Sequence, residues 1–218
     1  MTFKNKIINK LRFIYHLGKF KLNFFEYKEF QYAPFDILKP LPLNSEKKLK
    51  IILNLFDKSS DLVLRLSDGS LLGLLRDGNL IKHDNDIDFD VLWSKNSVKI
   101  IENIAKDLEW SSMRKVSYKK RIQQLTYFDE ERIIYDFIFW SLDDRFAINF
   151  SEPKYFRIMN KKFLTKMVKE NINGFNYFVP KDKKEWLEFR YGRNWNIPQT
   201  KKGDWKKDCG DLGKAWWI

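Results

Sequence analysis

Acidic residues fall at every second position of HDNDIDFDV: Asp84, Asp86, Asp88 and Asp90, with Ile87, Phe89 and Val91 between the last three and after them. Strand side chains alternate between faces, so the spacing predicts a strand from Asp86 to Val91 with Asp86, Asp88 and Asp90 on one surface. Like charges aligned on one face repel, and a cation removes the repulsion. Magnesium takes oxygen ligands from one or two carboxylates together with waters and substrate phosphates, so Asp86 and Asp88 form a suitable half-site. A calcium loop starting at Asp84 is excluded, because Phe89 holds its sixth position and Lys95 its twelfth.

About fifty residues on, Asp136 sits within the apolar run RIIYDFIFW. A buried carboxylate needs a cation, an arginine or dense hydrogen bonding. If this strand lies beside the one beginning at Asp86, Asp136 completes a three-carboxylate metal cluster; the structural rival is an ion pair with Arg121 or another base. Upstream, Gly69, Ser70 and Gly73 suit a tight turn whose amides approach a phosphate, with Ser70 as a further donor and Arg76 as a brace. A Walker loop is excluded, because Asn79 occupies the lysine position after Gly73 and Gly78. Glycine turn and acidic strand together point to phosphoryl chemistry on a metal-bound diphosphate.

These groups need a scaffold. Asn44 or Ser45 caps a predicted helix running to about Asp57 that buries Leu49, Ile52, Leu53 and Phe56, and Leu62 to Leu66 reads as a strand entering the glycine turn. A helix over Ser97 to Trp110 buries Val98, Ile101, Ala105 and Leu108, and Arg121–Phe128 with Arg132–Trp140 form a hairpin around Asp129, Glu130 and Glu131. The order predicts an α+β fold with a mixed β-sheet flanked by helices. Residues 3–17 read as a basic amphipathic helix that suits an anionic bilayer or its own domain. Near the other end Asp182 and Glu185 have capping-box spacing, and Gly192 stands where that helix stops. The divisions expected are 1–60, an N-terminal helical segment; 61–150, the catalytic core; and 151–218, a C-terminal helical and aromatic segment packed on it.

The 218 residues carry a net charge of +12, so polyanions are attracted: nucleic acid, nucleotide phosphates or an anionic membrane face. A single cysteine, Cys209, precludes an internal disulfide, and with only His16 and His83 a zinc site is not expected. No apolar run reaches membrane-spanning length, and a cytoplasmic protein is expected, with peripheral contact to the inner membrane face as an option.

The segment Gly69-Ser70-Leu71-Leu72-Gly73, followed by Arg76, Gly78, Ile81 and Asp84-Asn85-Asp86-Ile87-Asp88, resembles the LicD family and its fukutin-related members, within the nucleotidyltransferase-fold superfamily. Asp136 looks like that superfamily's third carboxylate, and Tyr191-Gly192 with Trp195 and Pro198 is similar to the family's closing motif. The chain departs from the family's Trp-Asp-Asp-Asp-Ile-Asp at His83 and Asn85, and Asp68 before the glycine is a further departure. The resemblance implies a nucleotidyltransferase-like sheet with N- and C-terminal helical additions. It implies Mg²⁺-dependent transfer of a substituted phosphate, of phosphocholine or polyol phosphate type, from a CDP-linked donor to a hydroxyl of a cell-surface glycan or glycolipid, as in lipopolysaccharide or capsule biosynthesis. Asp86, Asp88 and Asp136 would be the catalytic and metal residues, for one ion or two, with Mn²⁺ able to substitute. Gly69, Ser70, Gly73, Arg76, Asp84 and Tyr191 would bind substrate. The rivals are a nucleotidyltransferase that uses a nucleoside triphosphate to modify RNA, protein or a small molecule, and a non-catalytic basic binding module. For an RNA substrate, Trp205 among Lys201, Lys202, Lys206 and Lys207 could stack bases; nucleic acid is the less favoured partner.

Overall fold

The computed structural model describes residues 25–29, 39–59, 61–118, 120–152 and 155–198. The basic segment 3–17 and the Lys- and Trp-rich tail lie outside the described residues. Ten strands and five helices are described: β1 (Phe25–Glu29), α1 (Ser45–Asp57), β2 (Leu64–Leu66), α2 (Asp68–Asp77), β3 (Asp86–Leu92), α3 (Lys95–Asp107), β4 (Ser111–Tyr118), β5 (Arg121–Phe128), β6 (Ile134–Leu142), β7 (Phe146–Glu152), β8 (Tyr155–Asn160), α4 (Lys162–Thr165), β9 (Met167–Ile172), β10 (Phe175–Pro180) and α5 (Lys183–Tyr191). The fold is α+β, as the element order predicts. Its main sheet runs β1-β4-β5-β6-β3-β2, with β7 joining the end of β6 to β8, and β9 with β10 forms a separate hairpin.

The pairing of β3 with β6 is parallel, whereas β2–β3, β4–β5 and β5–β6 are antiparallel. A parallel pair needs a long crossover, here α3 with the β4–β5 hairpin. One face of the sheet is apolar. Ile87, Phe89 and Val91 are fully buried there; the rings of Phe89 and Phe137 stack at 4.9 Å, and Phe56 of α1 packs edge-on against both at 6.0 and 5.7 Å. Trp110 stacks on Tyr135 at 4.2 Å on the same side. α3 opens with a reciprocal capping box, Ser97 N–H donating to Ser94 Oγ (2.8 Å) and Ser94 N–H to Ser97 Oγ (2.9 Å).

Several expectations change. The segment Asp68–Asp77 is a helix, not a glycine turn. Two glycines disfavour a helix by about 1 kcal/mol each relative to alanine, but Leu71, Leu72 and Leu74 bury a face against the core. Gly73 is needed for packing: a Cβ there would stand 2.6 Å from the carbonyl oxygen of Asn79 and 2.9 Å from the amide of Ile81, as the chain doubles back past the helix. Gly78, at φ +73°, ends the helix. Leu108 lies on the surface, because α3 stops at Asp107. Ser111–Tyr118, not foreseen as a strand, pairs with β1, so the 1–60 segment contributes a strand to the sheet. Residue 150 is no boundary, since β7 runs through it, and the 151–198 stretch holds three strands besides its helices.

The β9–β10 hairpin turns on Asn173 (φ +52°) and Gly174 (φ +76°), the two left-handed residues that a tight hairpin requires. Its tip reaches α2: Asn173 Nδ2 donates to the Gly78 carbonyl at 2.5 Å. Gly73→Ala is expected to destabilise the protein by roughly 1–3 kcal/mol, since backbone must move to admit the methyl; urea unfolding monitored by circular dichroism measures it.

Candidate active site

The parallel register sets Asp88 directly beside Asp136, and on the far side of β6 the antiparallel register sets Thr126 beside Asp136 and Arg114 beside Thr126. The result is a lateral row across four strands, Arg114–Thr126–Asp136–Asp88, on the face opposite the Phe89–Phe137 stack. Asp86 is two residues up β3 from Asp88, on the same face. Asp136 accepts hydrogen bonds from Gln124 Nε2 at 2.8 Å on each oxygen and from Thr126 Oγ1 at 2.8 Å. Burial raises its pKa, against the opposing pull of Gln124, Arg114 and Thr126. Of the bases the structural rival would use, Arg121 lies 4.7 Å over Trp93, while Arg114 stands next in the row and acts on Asp136 through its charge.

Asp86 and Asp88 have no such compensation. Burial first, and then Asp84 and Asp136, push Asp86 up to about 8. Burial, and then Asp86, Asp68 and Asp136, raise Asp88 well above the carboxylate range. Asp84 is raised by burial despite a hydrogen bond shared with Asp86, which itself requires a proton between the two carboxyls.

The start of α2 is lashed to β3. Ser67 N–H donates to the Asp88 carbonyl (2.9 Å), and Asp88 N–H donates to Ser70 Oγ (3.0 Å). Ser70 is therefore a buried tie between helix and strand, its Oγ an acceptor in this bond. Gly69 stands where a Cβ would meet Asp84 Oδ2 at 2.2 Å, so its bareness admits that carboxylate to the first turn of the helix. The Ser67 hydroxyl is fully buried at the N-cap with no hydrogen-bond partner. Gly73 belongs to packing, as described above. Arg76 is at the wrong end: it lies eight residues past Asp68, roughly 12 Å along the helix axis, and binds Asp77 through both Nε (2.9 Å) and Nη2 (2.7 Å). Tyr191 ends α5, its hydroxyl pKa raised well above the usual value by burial and then by Asp68 and Asp88, so it lies within electrostatic reach of the row.

Asp90 shares the face but not the role. It is fully buried, paired with Arg65 Nη2 at 2.6 Å and bonded by Trp140 Nε1 at 2.6 Å. Arg65 in turn lies 4.9 Å over Trp186 of α5. A second buried ion cluster joins Asp68 to Arg157 (2.9 Å) and Arg190 (2.6 Å). Burial opposes ionisation of Asp68, but the two guanidinium groups overcome it and hold the carboxyl well below its usual range.

Residues 62–182, more than half of the chain, match the family described as LicD/FKTN/FKRP, nucleotidyltransferase domain. The chain belongs to the LicD family. Membership makes it a transferase, and its sheet is that of the family's nucleotidyltransferase domain. Among solved structures, the lincosamide antibiotic adenylyltransferase LnuA in its lincomycin-bound crystal form is similar, with 18% identity over 65% of this chain and 84% of that one and a TM-score of 0.47. No curated protein matches the chain. Among the described residues, no helix is long and apolar enough to cross a membrane.

As the side chains stand, no three His, Cys, Asp or Glu residues among those described converge as a metal site. The expected three-carboxylate cluster is thus not closed, because Asp136 is turned to Gln124 and Thr126. The donor set nevertheless fits magnesium, which draws only one or two carboxylates from a protein and the rest of its shell from water and phosphate. Asp86 and Asp88 supply two hard oxygen donors whose repulsion a cation relieves.

Sequence reasoning missed Arg65, Arg157, Arg190, Gln124 and Thr126. For the last two a signal existed: a hairpin turning at Asp129–Glu131 puts Thr126 opposite Asp136, and Gln124 shares its face.

Two outcomes are expected. In the metal-free LicD-family protein, Asp86 and Asp88 keep in the folded state protons that the unfolded chain releases near pH 4. The stability they add is present below about pH 4 and is lost as the pH rises toward 8. Calorimetry in EDTA should therefore show Tm falling from about pH 5 to pH 8; Asp88→Asn flattens the fall, and Mg²⁺ raises the Tm of the wild type but not of the variant. Asp90→Ala, by contrast, leaves Arg65 buried and unpaired and is expected to cost about 3–5 kcal/mol by denaturant titration.

Proposed function

We propose that the protein catalyses Mg²⁺-dependent transfer of a substituted phosphate, of phosphocholine or polyol phosphate type, from a CDP-linked donor to a hydroxyl of a cell-surface glycan. The observation that carries this is the lateral row: a LicD-family chain whose parallel register sets Asp88 beside a carboxylate that is itself fixed by Gln124 and Thr126.

Asp86 and Asp88 would hold the ion against the donor's diphosphate. When bound, Mg²⁺ neutralises charge on the diphosphate and polarises the phosphorus–oxygen bond that breaks. The start of α2 would receive phosphate oxygens, since the first amides of a helix have no intrahelical partner. Asp136 takes the acceptor hydroxyl's proton as that oxygen attacks the phosphorus bearing the head group. Burial raises its pKa above the ordinary carboxylate value, the direction that makes it a stronger base. CMP departs with the bridging oxygen and its electron pair, and the head-group phosphate is left esterified to the acceptor. Tyr191, at the end of α5 and within electrostatic reach of Asp88, would flank the bound donor.

Purified protein with Mg²⁺, offered CTP, ATP, CDP-choline, CDP-glycerol and CDP-ribitol, tests the proposal. CMP release from one CDP-linked donor, absent in Asp86→Ala, is expected, and that donor names the head group. Pyrophosphate release from CTP or ATP would overturn the phosphotransfer reading in favour of nucleotidyl transfer.

A further inference from the structure

Asp68 is built into the fold at a cost. Its φ of +38° lies in the left-handed region, which glycine enters freely and a residue with a Cβ only at some cost. Its carboxylate also adds negative charge beside Asp84, Asp86, Asp88 and Asp136. Strained backbone and unfavourable charge persist where surrounding contacts over-determine them, and such places cluster at working sites.

The surrounding contacts are specific. Arg157 Nη2 and Arg190 Nε both donate to Oδ1 of Asp68, at 2.9 and 2.6 Å. Arg157 comes from β8 and lies 5.2 Å over Trp140; Arg190 comes from α5, and both arginines are more than nine-tenths buried. On the other side of Asp68, Ser67 N–H holds the Asp88 carbonyl and Ser70 Oγ receives the Asp88 amide. Both peptide groups flanking the Asp88 side chain are thus fixed by a turn whose own position is fixed by Asp68.

We propose that Asp68 is a positioning residue for the acidic row, pinned by Arg157 and Arg190 so that the first turn of α2 holds Asp88 at the angle needed for metal and diphosphate. It touches no reacting atom and acts through Asp88. The activity arm of the test rests on the phosphotransfer reading above; the metal arm does not.

The variants are Asp68→Gly, which relieves the backbone and removes the pin, Asp68→Asn, and Asp68→Glu as the conservative rescue. For protein that is folded by circular dichroism, kcat is expected to fall roughly 10- to 100-fold in the first two, as for other groups that orient metal ligands, with the donor KM little changed and part of kcat recovered in Asp68→Glu. Mn²⁺ affinity, followed by electron paramagnetic resonance, should weaken in parallel. Should both variants fail to fold, Arg190→Lys, which keeps the charge but not the planar fork, is expected to give a smaller loss of the same kind. Wild-type kcat and Mn²⁺ affinity in folded Asp68→Gly, or a raised KM with unchanged kcat, would overturn the proposal. If the wild type releases no CMP from any donor, the phosphotransfer reading fails while the Mn²⁺ arm still decides: weaker binding in Asp68→Gly supports the positioning role and equal binding refutes it.

Discussion

Two carboxylates on neighbouring parallel strands, Asp88 and Asp136, face the same way in direct register, and the sheet around them is arranged to tolerate it. In the low-dielectric interior such a contact is unfavourable unless charge is screened, shared with protons or bonded. Asp136 is bonded by Gln124 and Thr126, with Arg114 next in the row. Asp88 is stabilised through its backbone only, by Ser67 and Ser70. The asymmetry leaves one carboxylate of the pair oriented and the other without a compensating partner, the division of roles on which the proposed phosphoryl transfer relies.

The opposite face of the same strands bears the energetic burden. Phe89 and Phe137 neighbour Asp88 and Asp136 in sequence and stack on each other, with Phe56 against both. Each burial of an aromatic side chain contributes about 2–3 kcal/mol, so a core of this kind can offset an acidic row without abolishing it. Function and stability are separated by the pleat itself, one face each. Asp90 shows the limit of the separation: at the same spacing as Asp86 and Asp88 it is neutralised by Arg65, and it belongs to the fold.

Local periodicity made much of this legible. The period-two acidic strand, the hairpin through Asp129–Glu131, the helix over 45–57 and the stop at Gly192 all follow from short-range rules; the helix read over 97–110 lies at 95–107, and the adjacency of β3 and β6, only a condition in the sequence, is met by the sheet register. The helix at Asp68–Asp77 did not follow from such rules, because glycine there signals close packing against Asn79 and Ile81 and not a turn, a distinction only the tertiary contact makes. Arg76 has the charge to brace a phosphate, yet its immediate neighbour Asp77 claims it. Arg157 and Arg190 lie 89 and 122 residues from Asp68, and nothing local in the sequence relates them to it. Asn173-Gly174 is a missed signal of another kind, a standard hairpin dipeptide that short-range rules do identify.

α2 is gripped at both ends by the last third of the chain: Arg157 and Arg190 at Asp68, Asn173 at Gly78. During synthesis the acidic strand and the hairpin beside it leave the ribosome well before those partners do. Contacts so distant in sequence form late, after shorter loops have closed. A nascent chain ending before Arg190 therefore contains every carboxylate of the row but lacks a clamp on the helix that flanks it, so the row is fully braced only as α5 emerges.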